Sequence, residues 1–302
     1  GCLDVNSGAL EIRANAAPTA NIRDTATTGS VVVTSNTWVP APPIGFAEPT
    51  ATPAIPATHV LSLQFAGSTR GVLNDQLNDG ISPTPAGDIV LDSNEPDPGL
   101  QNNDLAIISN CDFGDLFRVS NVGTNSGNIV IEHGAAVNSS GALTRAYGAP
   151  ATIDQTIVAK FHSNIYFVAD TGLTNNDGDP ITALYQQSLP YDPVNNPPTQ
   201  LVLGVENMRI AFGIRDNTDT LSYVTPDSAA FVPGDVESIR IGLLMVSWDR
   251  MASTEDTTTY ILAGQPIPAS AASNDGNTHP QDLRFRLAFN ATIKVRNRRN
   301  NL

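Results

Sequence analysis

From Leu283 to Arg298, apolar and polar side chains alternate with a period of two over sixteen residues. An α-helix cannot sort such a pattern onto two faces, whereas a half-buried β-strand does so at every position. Leu283, Phe285, Leu287, Phe289, Ala291, Ile293 and Val295 fall on one side, and Arg284, Arg286, Asn290, Thr292, Lys294 and Arg296 on the other. The expectation is that the apolar set packs on a core while the polar set meets water or a partner. Met208 to Arg215 and Ser238 to Trp248 alternate in the same way, so this end of the chain should hold an antiparallel sheet with a cationic outer face.

Charge sharpens that expectation. The 302-residue chain has a formal charge of −14, yet Arg284, Arg286, Lys294, Arg296, Arg298 and Arg299 crowd into its last twenty positions. An acidic body lacking clustered cations argues against a direct nucleic-acid partner. Five of the cations, Arg284, Arg286, Lys294, Arg296 and Arg298, are candidates for binding a protein partner, against the plainer reading of a solvated strand face. The hydrophobic content of 40 % suffices for a packed core. No apolar run approaches the ~20 residues of a membrane span.

Further upstream the signals are strands and breakers. Ser30 to Thr34, His59 to Phe65, Asp88 to Leu91, Leu105 to Ile108, Asp115 to Val119, Asn128 to His133 and Thr156 to Val168 read as strands. Gly8 to Ala17 is a weak helical candidate. Six prolines between Val39 and Thr58 rule out regular structure there, which predicts a long exposed loop or insertion. Asp170 to Asp179 reads as a turn-rich loop. No repeat and no clean break in composition divides the chain, so residues 1–302 are expected to form one elaborated, mainly β domain with long irregular connections.

Catalytic motifs are missing from the sequence. His59, His133, His162 and His279 are scattered and fit solvent-exposed or strand-face positions, and no nucleophile elbow, P-loop or dinucleotide fingerprint occurs. A non-enzymatic role without a cofactor is the expectation. The one metal-like stretch is Asn175 to Asp179, in which Asn175, Asp177 and Asp179 could offer oxygens to Ca²⁺. It fails as an EF-hand, since Gly178 at the sixth position puts Leu173 first and Leu184 twelfth, so a plain turn is preferred. Asp92, Glu95, Asp97 and Asp104 make a second acidic loop of low specificity. Cys2 and Cys111 match no metal or redox spacing and are either free thiols or a disulfide, the latter fitting a Lys-poor composition of exported type.

A set of segments in fixed order resembles the extracellular domain of PilW-type minor pilins of type IV pili. They are Gly1-Cys2, Asp104 to Cys111, Asp115 to Val119, Ile165 to Ala169, Ala183 to Tyr185, Gly204 to Ile214, Val236 to Leu244 and Phe289 to Arg298. The resemblance implies an α+β pilin-like head carried on a long apolar N-terminal helix that is absent from this chain, which makes the chain a truncated ectodomain or one served by another subunit's helix. It implies residence in the inner membrane before assembly and in an extracellular pilus after it, contacts with other pilins, minor pilins and a tip adhesin, and support of adhesion, twitching motility or DNA uptake. The family's cysteine pair implies a Cys2–Cys111 disulfide, worth about 4–5 kcal/mol on the chain-entropy account. The proline-rich segment finds no counterpart, and the basic tail is longer than the family's. Alternatives are a J-type pseudopilin of type II secretion, a filament-forming subunit joined through strand edges, and a calcium-dependent extracellular binding module.

Overall fold

The computed structural model describes residues 52–294 apart from 53, 78–82, 111–112, 139, 150–155, 189–195, 217, 232–235 and 272–275, together with three upstream strands. Cys2, Cys111, Arg296 and Arg298 lie outside the described residues, as does most of the proline-rich segment. Those upstream strands are β1 (Glu11–Ala14), β2 (Gly29–Thr34) and β3 (Thr37–Val39). Then come β4 (His59–Val72), β5 (Ile89–Leu91), β6 (Leu105–Ser109), β7 (Phe113–Arg118), β8 (Asn121–Asn125), β9 (Asn128–Glu132), β10 (Ile157–Thr174), β11 (Pro180–Ser188) and β12 (Thr199–Leu203). The C-terminal part holds β13 (Val205–Arg215), β14 (Leu221–Val224), β15 (Val236–Val246), β16 (Tyr260–Leu262), β17 (Gln265–Ile267), β18 (Ala269–Ser270), β19 (His279–Pro280) and β20 (Arg286–Lys294).

All regular structure among the described residues is β, and nearly all pairing is antiparallel; the pilin-like helical element is not among them. Glu11–Ala14, inside the stretch read as weakly helical, is a strand that pairs in parallel with β7. The expected loop at Asp170 to Asp179 is shorter than its composition suggested, because β10 runs through to Thr174 and only the tip at Asn175–Asp179 turns. The end of the proline-rich segment is not exposed: Ala54 and Thr58 are buried, with Ala54 bridging Ala169.

Two sheets dominate the architecture. The large one runs β1-β7-β6-β10-β4-β2-β3, with β11 pairing β10 and β12 pairing β11. The smaller has the order β14-β13-β15-β20. Alternation decides how they meet. From the large sheet Leu61, Leu63, Tyr166, Val168 and Leu184 face the small one, whose Met208, Ile210, Phe212 and Ile239 complete a shared core. The opposite parity of the large sheet, Val60, Ile165, Phe167, Ala169, Ala183 and Tyr185, packs separately around Ala54. A third core lies under β5-β9-β8, where Ile89, Leu91 and Ile131 close on Ile108, Phe117 and Val158.

On its other face the small sheet carries the β16–β17 hairpin, where Leu262 and Ile267 pack on Leu244. Gly242 permits this approach, since a Cβ there would stand 2.6 Å from the Ala263 nitrogen. Asn290 ties the hairpin to β20, its amide donating to Ile261 O at 3.0 Å and its Oδ1 accepting from Ala263 N at 2.6 Å.

Candidate docking site on the C-terminal sheet

The register across the small sheet places Phe212 opposite Ile239 and Ile239 opposite Ile293, with Met208, Leu243 and Phe289 aligned in the same way. One apolar face therefore continues without a change of parity from β13 through β15 to β20. On β13 it is sealed by the large sheet. On β20 nothing among the described residues covers it: Phe285 and Leu287 are each 58 % exposed, and Phe289 and Ile293 each 53 %. Ile241, Leu243 and Met245 on β15 are half-buried, so the transition is gradual.

From Leu283 to Lys294 the alternation exists, but its start is turned over: Arg284 and Arg286 go inward, while Asn290, Thr292 and Lys294 are exposed like the apolar residues between them. Arg284 and Arg286 are 4 % and 9 % exposed, so they do not form a cationic outer face. The physical reason is a set of buried carboxylates. Arg286 Nε reaches Glu206 Oε2 at 2.7 Å and its Nη2 reaches Oε1 at 3.1 Å. The same guanidinium donates to Asp282 at 2.9 and 3.1 Å and to Asp256 at 3.4 Å, which occupies all five of its N–H groups. Arg284 donates from Nε to Asp282 at 2.8 Å and from Nη2 to Glu206 at 3.5 Å. Burial works against the charge of Arg286, but the hydrogen bonds and charges of Glu206 and Asp282 outweigh it and hold its proton more firmly than in water. Asp282 shows the mirror case, burial opposing its charge while Arg286 and Arg284 keep its carboxyl below the usual range.

Of the cations considered for partner binding, Lys294 is exposed. Glu206 and Asp256 were not singled out from sequence. The available signal was a glutamate within a segment that reads as a central strand, Val205 to Phe212, since a carboxylate buried in a strand requires a cation beside it.

The Asn175–Asp179 tip is organised by protein donors. Asn175 Oδ1 accepts from the backbone of Asp177 (3.0 Å) and Asp179 (2.8 Å), and its amide donates to Trp248 O at 2.9 Å. Both oxygens of Asp179 are held by Arg250, at 3.0 and 2.6 Å, which keeps that carboxyl below its ordinary range. Among the described residues no group of three His, Cys, Asp or Glu is placed to hold a metal ion.

Three histidines expected at exposed or strand-face positions, His59, His133 and His279, are buried. His59 Nδ1 accepts the backbone N–H of Ile210 at 2.9 Å and so stitches β4 to β13. Burial, followed by the charge of Arg209, pushes its pKa down to about 3. Arg209 is also inside, donating to Ala57 O at 2.8 Å and to Gly276 O.

The structural class is thus a β-sandwich whose smaller sheet extends an apolar face beyond its partner. Within this chain, residues 165–297 match the family described as Type IV Pilus-assembly protein W. That match supports a type IV pilus-associated family and a link to pilus assembly, and it spans β11 through β20 together with most of β10. No curated protein and no solved structure matches the chain. No helix among the described residues is long and apolar enough to cross a membrane.

Proposed function

We propose that this chain is the globular head of a minor pilin that primes type IV pilus assembly, with other pilins and a tip adhesin as partners, and stays near the filament tip. The observation that carries this reading is that the segment matched by the pilus-assembly family is the one that builds the open apolar face. On this account the face seats a long apolar α-helix, carried upstream of these residues or by another subunit. The nine residues of β20 span about 30 Å, the length of about 20 helical residues. Such a helix would bury Phe285, Leu287, Phe289 and Ile293 and would anchor the head in the inner membrane before export into the pilus. Adhesion, motility and DNA uptake follow through the filament.

Deletion of the gene in its own bacterium is expected to strip the cell of pili. The wild-type chain should restore them, and the Leu287→Lys/Phe289→Lys variant should not, although its exposed substitutions leave folding intact. Undiminished piliation in the deletion strain would overturn the proposal. Normal pili with failed protein secretion would move the chain to a type II secretion system instead.

A further inference from the structure

We propose that the free edge of β12 docks an extended, uncharged segment of a partner polypeptide, which adds to the large sheet as a strand and places one apolar side chain in the cavity beside Trp248. This goes beyond the helix-seating face and does not depend on it. Among the described residues β12 pairs with β11 alone, and all five of its residues, Thr199 to Leu203, are exposed. None of them is charged and none is proline, with Pro197 and Pro198 standing just outside the strand. Charge and proline are two of the common ways to blunt an edge strand, which otherwise offers unpaired N–H and C=O groups to any passing chain. Strand β20, which among the described residues is an open edge of the small sheet, by contrast ends at the exposed Lys294.

The edge dictates the form of its occupant. Only an extended backbone presents donors and acceptors at the spacing of a strand, so a helix would leave these groups unpaired. A specificity pocket lies at the C-terminal end of the same edge. Gly204, at φ +74°, is held between the sheets: its N–H donates to Thr182 O and its carbonyl accepts from Val246 N, both at 2.8 Å. Before Gly204 the chain parts from the β15 segment, and the gap is a cavity of about 170 Å³ lined by Ile181, Thr182, Leu203, Val246, Trp248 and Arg284. The charge of Arg284 is answered by Asp282 and Glu206, so the cavity does not require an anion. Its size suits one aliphatic or aromatic side chain, since an apolar cavity of about 150 Å³ takes up benzene. Main-chain pairing along β12 would supply affinity and this pocket selectivity.

The test uses the intact 302-residue chain and a panel of acetylated six-residue peptides that alternate Thr and Val and carry Phe, Leu or Ala at the third position. Binding should slow hydrogen exchange at the β12 amides and shift Trp248 fluorescence, with Phe or Leu preferred to Ala. Methylating alternate peptide nitrogens should weaken binding by about tenfold or more, because it removes the ladder and leaves the side chains. Val202→Lys and Trp248→Ala, both at exposed positions, should weaken binding without lowering Tm. The proposal is overturned if no peptide protects β12, or if methylated and unmethylated peptides bind alike. It is also overturned, in favour of a second copy of this chain, if the protein alone forms a concentration-dependent dimer that Val202→Lys abolishes.

Discussion

Phe212 and Phe289 point from the same face of the same sheet, two strands apart, and their surroundings are opposite. Phe212 is fully buried against Phe231 and the large sheet, with ring centroids 4.5 Å apart, while Phe289 is largely in water. The difference lies in how far the large sheet reaches and not in the residues. Side-chain alternation fixes which residues share a face, but it carries no information about where the covering layer stops. A folded domain rarely leaves so many large apolar groups in one line without a use for them, and here the line lies in the segment matched by a pilus-assembly family.

The sharpest way to break the comparison is to truncate both rings. Phe212→Ala should cost about 3–5 kcal/mol, the usual range for emptying a packed core. Phe289→Ala should stay within about 0.5 kcal/mol, as exposed substitutions do. Urea unfolding of the two variants decides it, and equal losses would mean that β20 is covered after all.

A comparable effect is expected from the opposite face of the sheet. Glu206→Leu takes two of the five hydrogen bonds from Arg286, which keeps Asp282 and Asp256, and should cost about 3 kcal/mol for two charge-assisted bonds lost inside the protein. Replacing Glu206, Arg284 and Arg286 together with apolar residues should not recover that loss, because Asp282 and Asp256 then lose their arginine partners. Denaturant midpoints of the single and triple variants measure it.

The sealed part of the sandwich should also respond to acid. His59 has a folded pKa of about 3, below the ordinary 6.5. Between those values the unfolded chain binds a proton that the folded chain does not, so stability is fully present above 6.5 and declines as pH falls towards 3. At about 1.4 kcal/mol for each pH unit separating the folded and unfolded pKa, this contributes a few kcal/mol. His59→Gln should flatten the difference in stability between pH 7 and pH 4.5 relative to wild type.

The smallest effect belongs to the exposed hairpin tip. Arg250→Ala should lower the urea midpoint only slightly, and less still in high salt. Because Arg250 already occupies the Asp179 carboxylate, added Ca²⁺ should leave Tm of the wild type unchanged; a rise that saturates with calcium would instead restore the calcium-loop reading of Asn175, Asp177 and Asp179.

Much of the scaffold was legible in the sequence. Period-two stretches located β13, β15 and β20, while short apolar and β-branched runs between turn residues located β6, β7 and β9. Short or exposed strands such as β8, β12 and β14 left no such imprint, since a strand without a buried face has no reason to alternate. The full reach of β10 was also hidden, because its 18 residues pair with β6, β4 and β11 in turn and its surroundings change along its length. The docking face itself was half visible: the alternation marked the right residues, but their exposure depended on Glu206 and Asp282 drawing the arginines inward and on the large sheet ending short of β20.

The most direct test of this account is hydroxyl-radical footprinting of Phe285, Leu287, Phe289 and Ile293 in the isolated chain and in pili sheared from the cell surface. The account predicts ready oxidation of all four in the isolated chain and strong protection in the pilus, with Phe212 protected in both. Equal oxidation of the four in both states, or absence of the chain from pili altogether, would contradict it.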